Sequence, residues 1–305
     1  MVLSPTRRTG LAALAALTLI PVVGCAGPSG SAEPAAEGSA ASEAPSGAFR
    51  DFERLEEEFD ARLGVYAVDT GTGEEVSHRP DERFAYASTH KALSAGAVLR
   101  RNSLEEMEEV VTYTEDDLVS HSPVTERHVE TGMTLMEVAD AAVRYSDNTA
   151  ANLLMEELGG PDGFEEALEA IGDDVTDPER METELNEGVP GDTRDTSTPR
   201  AMATSLREFA LGDVLPEDRR DVFTTMLRGN TTGDTLVRAV VPEGWEVGDR
   251  TGAGGYGTRN VIAVVWPPEA DPLVIAIMSS RDREDAEYDD ALVAGAAEVV
   301  VAALD

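Results

Sequence analysis

Ser88 and Lys91 place a hydroxyl and an amine three residues apart, a spacing that puts both on one face of a helix. A serine becomes a nucleophile only beside a base, and lysine can be that base once its pKa is lowered. Lys91 is the only lysine in the chain; all the other basic residues, out of 24, are arginine. A GC-rich genome favours arginine codons, and one lysine can survive by accident. Only the amine, however, can give up its proton, because a guanidinium stays charged in any protein environment. Lys91 therefore reads as a candidate base. Alone, the Ser–Lys pair is a weak signal, since such spacings arise often by chance.

Three further groups carry polar chemistry. Ser146-Asp147-Asn148 follows an apolar helical stretch. Ser146 can relay a proton and Asn148 can both donate and accept, although the triplet alone reads as a turn between helices. Arg250-Thr251-Gly252 sets a cation beside a hydroxyl where a strand should run along a cleft, which suits a carboxylate ligand. Gly254 and Gly255 allow close backbone approach. Gly252, Gly254 and Gly257 also fit G-x-G-x-x-G, but strand-like residues 261–266 follow where a dinucleotide site needs a helix. Glu182 and Asn186 lie in an irregular segment, 172–197, long enough to suggest function. Arg180 and Asp195 flank them and are placed to pair across the segment's base. Among 60 acidic residues, any single glutamate is a surface group by default.

Strand patterns gather at the two ends of the chain and helix patterns in the middle. Residues 49–62 carry apolar side chains at 52, 55 and 59, a helical spacing. Residues 63–68 and 74–78 read as strands around a turn at 69–73, an N-terminal hairpin. Helix formers occupy 88–102, 133–158 in two pieces, 198–211 and 219–228, with Thr198 capping a helix that opens on Pro199. Beta-rich runs follow at 245–249, 261–266 and 273–279, then an amphipathic helix over 285–304. The simplest packing is an antiparallel sheet built from both termini, flanked by the terminal helices, with an all-helical lobe inserted. No internal repeat is visible.

The length of 305 residues and the 41% apolar content suit a globular fold of one large domain or two lobes. The formal net charge of −36 repels phosphate backbones and anionic headgroups, which excludes nucleic acid as an expected partner. Such a surface fits a salt-rich setting as well as it fits general solubility. Residues 1–24 read as a signal peptide: Arg7 and Arg8 open it, and the apolar run 11–23 is too short to span a membrane comfortably. Thr6-Arg7-Arg8 also looks like a twin-arginine signal. Val22-Val23-Gly24-Cys25 resembles a lipobox, which makes Cys25 the expected lipidation site. Cys25 is the single cysteine, so no intramolecular disulfide can form. Residues 25–48, rich in Gly, Ser, Ala, Pro and Glu, read as a flexible tether. The expected location is outside the cytoplasm, as a cell-surface lipoprotein or a secreted protein, with membrane contact only through the lipid.

From about residue 49 onward the chain resembles a class A serine β-lactamase of the actinobacterial type. Ser-x-x-Lys, Ser-Asp-Asn and a basic-Thr-Gly triplet occur in that order. Their surroundings match too: Phe84-Ala85-Tyr86-Ala87-Ser88-Thr89, Ser122-Pro123-Val124-Thr125, Ser146 through Leu154, Glu184-Leu185-Asn186-Glu187, and Tyr256-Gly257-Thr258-Arg259-Asn260. The resemblance implies an α+β, two-lobe serine β-lactamase/DD-peptidase fold. Its antiparallel five-stranded sheet and terminal helices come from about 49–86 and 231–305, and its inserted all-α lobe from about 87–230. It implies a monomer with no cofactor and no metal site, acting on β-lactam antibiotics, chiefly penicillins, and so conferring resistance.

The same resemblance assigns roles. Ser88 attacks the ring amide, and Lys91, or Glu182 through a water, takes its proton. The backbone N–H groups of Ser88 and Ala253 form the oxyanion hole. Ser146 returns a proton to the ring nitrogen. Asn148 positions Lys91 and the substrate amide. Glu182 and Asn186 hold the water that frees the enzyme. Arg250, Thr251 and Arg259 bind the substrate carboxylate, with Gly252 and Ala253 along the same strand.

Three positions depart from the family's usual pattern. Arg250 replaces the usual lysine, as in carbenicillin-hydrolysing members. Thr183 stands where a proline after a cis bond is usual; a non-proline cis bond costs about 2.5–4 kcal/mol, which leaves its isomer, and with it deacylation, open. His121 occupies an aromatic position that gates the cleft, and reads equally as a surface ring. Two rivals share the motifs: a DD-peptidase, which would lack a deacylating glutamate, and a non-catalytic binding module, which would lack a complete polar set.

Overall fold

The structure is a computed structural model and describes residues 46–305. The signal peptide, the lipobox with Cys25 and most of the tether lie outside the described residues. Helix α1 spans Ser46–Phe59. It takes in residues 46–48, which composition places in the tether, because Ala48 is buried with Phe52 and Leu55 at helical spacing. No helix among the described residues is long and apolar enough to cross a membrane.

Strands β1 (Arg62–Asp69) and β2 (Glu75–His78) form the expected hairpin. Short β3 (Phe84–Ala85) leads into a 3-10 turn, Ala87–Thr89, and then α2 (His90–Arg101). The reading of one helix from 88 therefore holds only from His90, and Ser88 sits on the tighter turn before it. Strands β4 (Val110–Val111) and β5 (Met133–Thr134) pair beside α3 (Leu135–Tyr145) and α4 (Asn148–Leu158), the two pieces expected over 133–158. Helix α5 (Pro161–Glu169) follows, an element that sequence reading did not identify. Beyond the irregular segment come β6 (Thr196–Ser197), α6 (Pro199–Ala210) and α7 (Glu217–Arg228). Thr198 caps α6 as expected, accepting from the Ala201 N–H at 3.2 Å. Strands β7 (Glu246–Ala253), β8 (Arg259–Trp266) and β9 (Leu273–Ser280) precede α8 (Asp290–Leu304). Helix α8 starts five residues later than its sequence pattern suggests, because Asp289 caps it by accepting from the Ala291 N–H at 2.9 Å.

The five long strands make one antiparallel sheet in the order β2-β1-β9-β8-β7. Its two faces follow from the two-residue strand period. Val261, Ala263, Val265, Ile275 and Ile277 pack on one face with α1 and α8, while Ile262, Val264, Val274, Ala276 and Met278 pack on the other with the helical core. A sheet buried on both faces explains why β8 and β9 read as continuous apolar runs. Helix α2 is the axis of the helical side, with ten of its residues buried from His90 to Leu99. Strand β7 is an edge strand, so one side of its backbone carries no strand partner. That free edge borders the site.

Candidate active site

Ser88 is held by its turn from below. Asn260 on β8 donates to the carbonyls of Ala85 and Tyr86 at 2.8 and 3.1 Å, and the Thr89 hydroxyl donates to Tyr86 O at 2.6 Å. The edge strand passes directly over this turn. A Cβ built on Gly252 would lie 3.0 Å from Tyr86 O and 3.2 Å from Ser88 N, so a side chain there would push the strand and the turn apart by a few tenths of an ångström. The Gly254 N–H donates to the carbonyl of Thr258, the residue just before β8, at 3.2 Å. Amide direction alternates along an antiparallel strand, so the Ala253 N–H points to the free edge, the side on which Ser88 lies.

Lys91 follows on the first turn of α2 and is completely buried. Its Nζ donates to Ser88 Oγ at 2.9 Å and to Ser146 O at 3.0 Å, and it bonds Asn148 Oδ1. It also lies 2.9 Å from Glu182 Oε1. Burial pushes the Lys91 ammonium down to about 8; Glu182 pulls it up, and Arg250 pushes it down again.

The turn carrying Ser146 and Asn148 is built by its middle residue. Ser146 ends α3 in a left-handed conformation, with φ 60°, and Asp147 caps α4. The buried Asp147 carboxylate accepts from the N–H groups of Val124, Thr125 and Ala150, each at 2.9 Å. The triplet is thus the break between two helices, and the same turn faces Ser146 and Asn148 toward Lys91. Asn148 donates to Ser120 O at 2.8 Å while its carbonyl faces Lys91.

The irregular segment brings Glu182 to Ser88. The Ser88 hydroxyl donates to Glu182 Oε1 at 3.2 Å, and Asn186 Nδ2 donates to Oε2 at 2.5 Å. Burial raises the Glu182 carboxyl, but Lys91 and His90 outweigh it and hold it well below the usual carboxylate range. The Glu182–Thr183 peptide is cis. Asn152, one turn beyond Asn148 on α4, clamps Glu182 from behind: its Oδ1 accepts the Glu182 N–H at 2.8 Å and its Nδ2 donates to Glu182 O at 3.0 Å. Sequence reading gave Asn152 no role, although its four-residue spacing from Asn148 places both on one helix face. Gly254 and Gly255 do permit a close approach, and the partner is this segment: Gly255 N–H donates to Asn186 O at 2.8 Å.

Arg180 and Asp195 pair at 2.5 Å across the base of the segment. The buried Asp195 carboxylate also accepts from the Tyr86 hydroxyl at 3.1 Å and from the N–H groups of Glu179 and Arg180 at 3.0 Å. Asp195→Ala leaves four donors without their acceptor. It is expected to cost about 3 kcal/mol of stability, seen as a lower urea midpoint with an unchanged slope.

Arg250 is fully buried and bonds the Ser146 hydroxyl; it also donates to Thr232 Oγ1 at 3.1 Å, and Thr232 lies 2.7 Å from Thr251 Oγ1. Burial lowers Arg250 to about 10, against the pull of Asp249 and Glu182. Arg259, opposite Ala253 in the register, has its Nε bound to Asp290 at 2.6 Å, so part of its charge is already matched by α8. His121 is exposed with φ 61°. Its ring lies 3.3 Å from Tyr145 O, and its carbonyl accepts the Asn148 N–H at 3.0 Å.

A buried hydroxyl between an amine and a carboxylate, beside the free edge of a strand, is the arrangement that serine acyl transfer needs. Residues 48–304 match the Beta-lactamase enzyme family. A β-lactamase from Amycolatopsis lactamdurans is 56% identical over 255 residues, 84% of this chain and 84% of its own length. A crystal structure of a halotolerant bacterial β-lactamase shares 62% identity and a TM-score of 0.82, covering 83% of this chain and 98% of that one. That of a class A β-lactamase from Clostridium kluyveri shares 49% identity and a TM-score of 0.83, covering 84% and 97%. The chain belongs to the β-lactamase family, as a class A member: a β-lactam hydrolase of the serine type, whose activity confers resistance.

Proposed function

We propose that Ser88 is the nucleophile and that Glu182 serves both halves of the reaction. The observation that carries this reading is the triangle of Ser88 Oγ, Lys91 Nζ and Glu182 Oε1, with sides of 2.9, 2.9 and 3.2 Å. Every neighbour of Lys91 Nζ within reach is an acceptor, which suits an ammonium. In this reading Lys91 donates to the forming alkoxide while Glu182 takes the serine proton. The N–H groups of Ser88 and Ala253 hold the oxyanion. Ser146, whose hydroxyl accepts from Lys91 Nζ at 3.4 Å and from Arg250, passes its proton to the ring nitrogen and regains one from Lys91, which Glu182 recharges, so the carboxylate is ionised again. Glu182 and Asn186 then activate the water that opens the ester. Asn148 and His121 line the substrate side chain. Arg250, Thr251 and, more weakly because of Asp290, Arg259 receive the substrate carboxylate beside Gly252.

The sign of the pH dependence tests the assignment. Burial pushes the Lys91 ammonium down to about 8. If its ammonium is needed, kcat/KM for a penicillin falls as pH rises through that value; if the free amine were the base, kcat/KM would rise there instead. As the only lysine, Lys91 gives a single side-chain signal in lysine-labelled protein, so its midpoint can be read directly by NMR.

The two-lobe division at residues 49–86 with 231–305 and 87–230, export with lipid on Cys25, and a monomeric state belong to the same proposal. Penicillins are the proposed substrate class, because Arg250 stands where the carbenicillin-hydrolysing members also carry arginine. Carbenicillin is expected to show a higher kcat/KM than cefotaxime; the reverse order in steady-state assays would overturn that preference.

A further inference from the structure

His90 stands between Thr89 and Lys91, and no step above uses it. Its ring is 1% exposed, with centroids 5.7 Å from Tyr86 and 6.1 Å from Phe164. Nε2 lies 3.4 Å from Glu182 Oε1, while Nδ1 is buried with no hydrogen-bond partner among the described residues. An ionised carboxylate has no proton to give, so the proton between them belongs to Nε2. Burial lowers the His90 pKa, which leaves the ring neutral and Nδ1 bare.

We propose that His90 is a positioning residue for hydrolysis: its Nε2–H donates to Glu182 Oε1 and sets the orientation and proton affinity of the carboxylate that activates the deacylating water. The inference rests on the reading of Glu182 as the hydrolytic base. An apolar ring would fill the slot between Tyr86 and Phe164 without burying an unpartnered nitrogen. The histidine is therefore a poor choice for packing and a good one for reaching Glu182. Its weight differs between the two half-reactions. In the free enzyme Oε1 faces three donors: Ser88 Oγ, Lys91 Nζ and His90 Nε2. Once Ser88 is esterified its hydroxyl proton is gone, and only Lys91 and His90 remain on that oxygen. The groups bearing on Glu182 are then Lys91 and His90 from α2, Asn186 from its own segment and, at longer range, Arg250 from β7. Donation by His90 stabilises the ionised carboxylate, so it keeps Glu182 a base at lower pH.

The test compares His90→Phe, which keeps a ring but has no donor, with His90→Gln, whose amide can reach as Nε2 does. Acyl-enzyme decay is followed across the acid range by mass spectrometry after a single equivalent of a penicillin. The expected result is an acid limb moved up by about one pH unit in His90→Phe and largely returned in His90→Gln. The acid limb of acylation, in which Ser88 also bears on Oε1, should move less, and the Phe variant should melt at or above the wild-type temperature. His90→Leu replaces the Phe variant should that one not fold. An acid limb that stays put in the donor-less variant, or moves equally in the Phe and Gln variants, overturns the proposal. Glu182→Ala tests the underlying reading separately: if that variant still deacylates at the wild-type rate, the role of Glu182 fails whatever the His90 variants do.

Discussion

Lys91→Arg is expected to lower kcat/KM for penicillins by about a thousandfold or more, while Arg250→Lys stays within about tenfold of the wild type. The two positions differ in what surrounds the cation. Five oxygens converge on one nitrogen at Lys91: Ser88 Oγ, Ser146 O, Ser146 Oγ, Asn148 Oδ1 and Glu182 Oε1. A guanidinium spreads five donors in a plane and cannot gather them to a point. It is also larger, and the site is wholly closed. Its proton is permanent, so it cannot share one with Glu182. Arg250, in contrast, makes separate contacts to Ser146 and Thr232, and its Nε is buried without a partner among the described residues. An ammonium there keeps the charge and the contact to Ser146, and removes that unpartnered nitrogen. Rapid-quench measurement of acylation separates the two variants. Equal losses would mean that both sites need only positive charge, and the special chemistry of Lys91 would be refuted.

The contrast shows which parts of the site a sequence can disclose. Ser88 with Lys91, and Ser146 with Asn148, are legible because each pair is carried by one turn of backbone, so spacing already implies proximity. The strand nature of Arg250-Thr251-Gly252 is legible in the sequence, but the apolar pattern predicts a run only to Asp249, whereas the strand continues to Ala253. Polar residues hid its end, since one side of it faces the site and not the core. The sheet order could not be read locally: β1 lies beside β9 because of contacts made more than 200 residues apart. Helix α5 is not legible between two glycines and the irregular segment, because only Phe164 and Leu168 are buried to mark its face. Asp147 and Asn260 act through backbone atoms, and such contacts leave no pattern in side-chain spacing; Asn152 shares a helix face with Asn148, but the Glu182 backbone it clamps lies 30 residues further on. His90 sits inside the motif itself, yet its meaning depends on Glu182, 92 residues away. Export and lipidation rest on residues outside those the structure describes.

Glu182→Ala should leave Ser88 able to react and unable to be released. The carboxylate acts on Lys91 as well as on water. Burial lowers the Lys91 pKa and Glu182 partly restores it, so deleting the carboxylate drops the amine further. More free amine is then present at neutral pH, and Lys91 can take the Ser88 proton in place of Glu182. Acylation slows but continues. Release has no such substitute. Asn186 and Asn152 remain, but an amide cannot accept a proton from water at neutral pH, and Lys91 points at the serine side of the site. The loss in turnover is expected to be about a thousandfold. Nitrocefin should give a burst of one equivalent and then stop, and the intact protein should carry the mass of one opened substrate. The stalled ester should map to the peptide containing Ser88. Continued turnover by this variant would place the hydrolytic base elsewhere. A variant that neither turned over nor accumulated an acyl-enzyme would make Glu182 the indispensable base of the first step, and Lys91 a donor only.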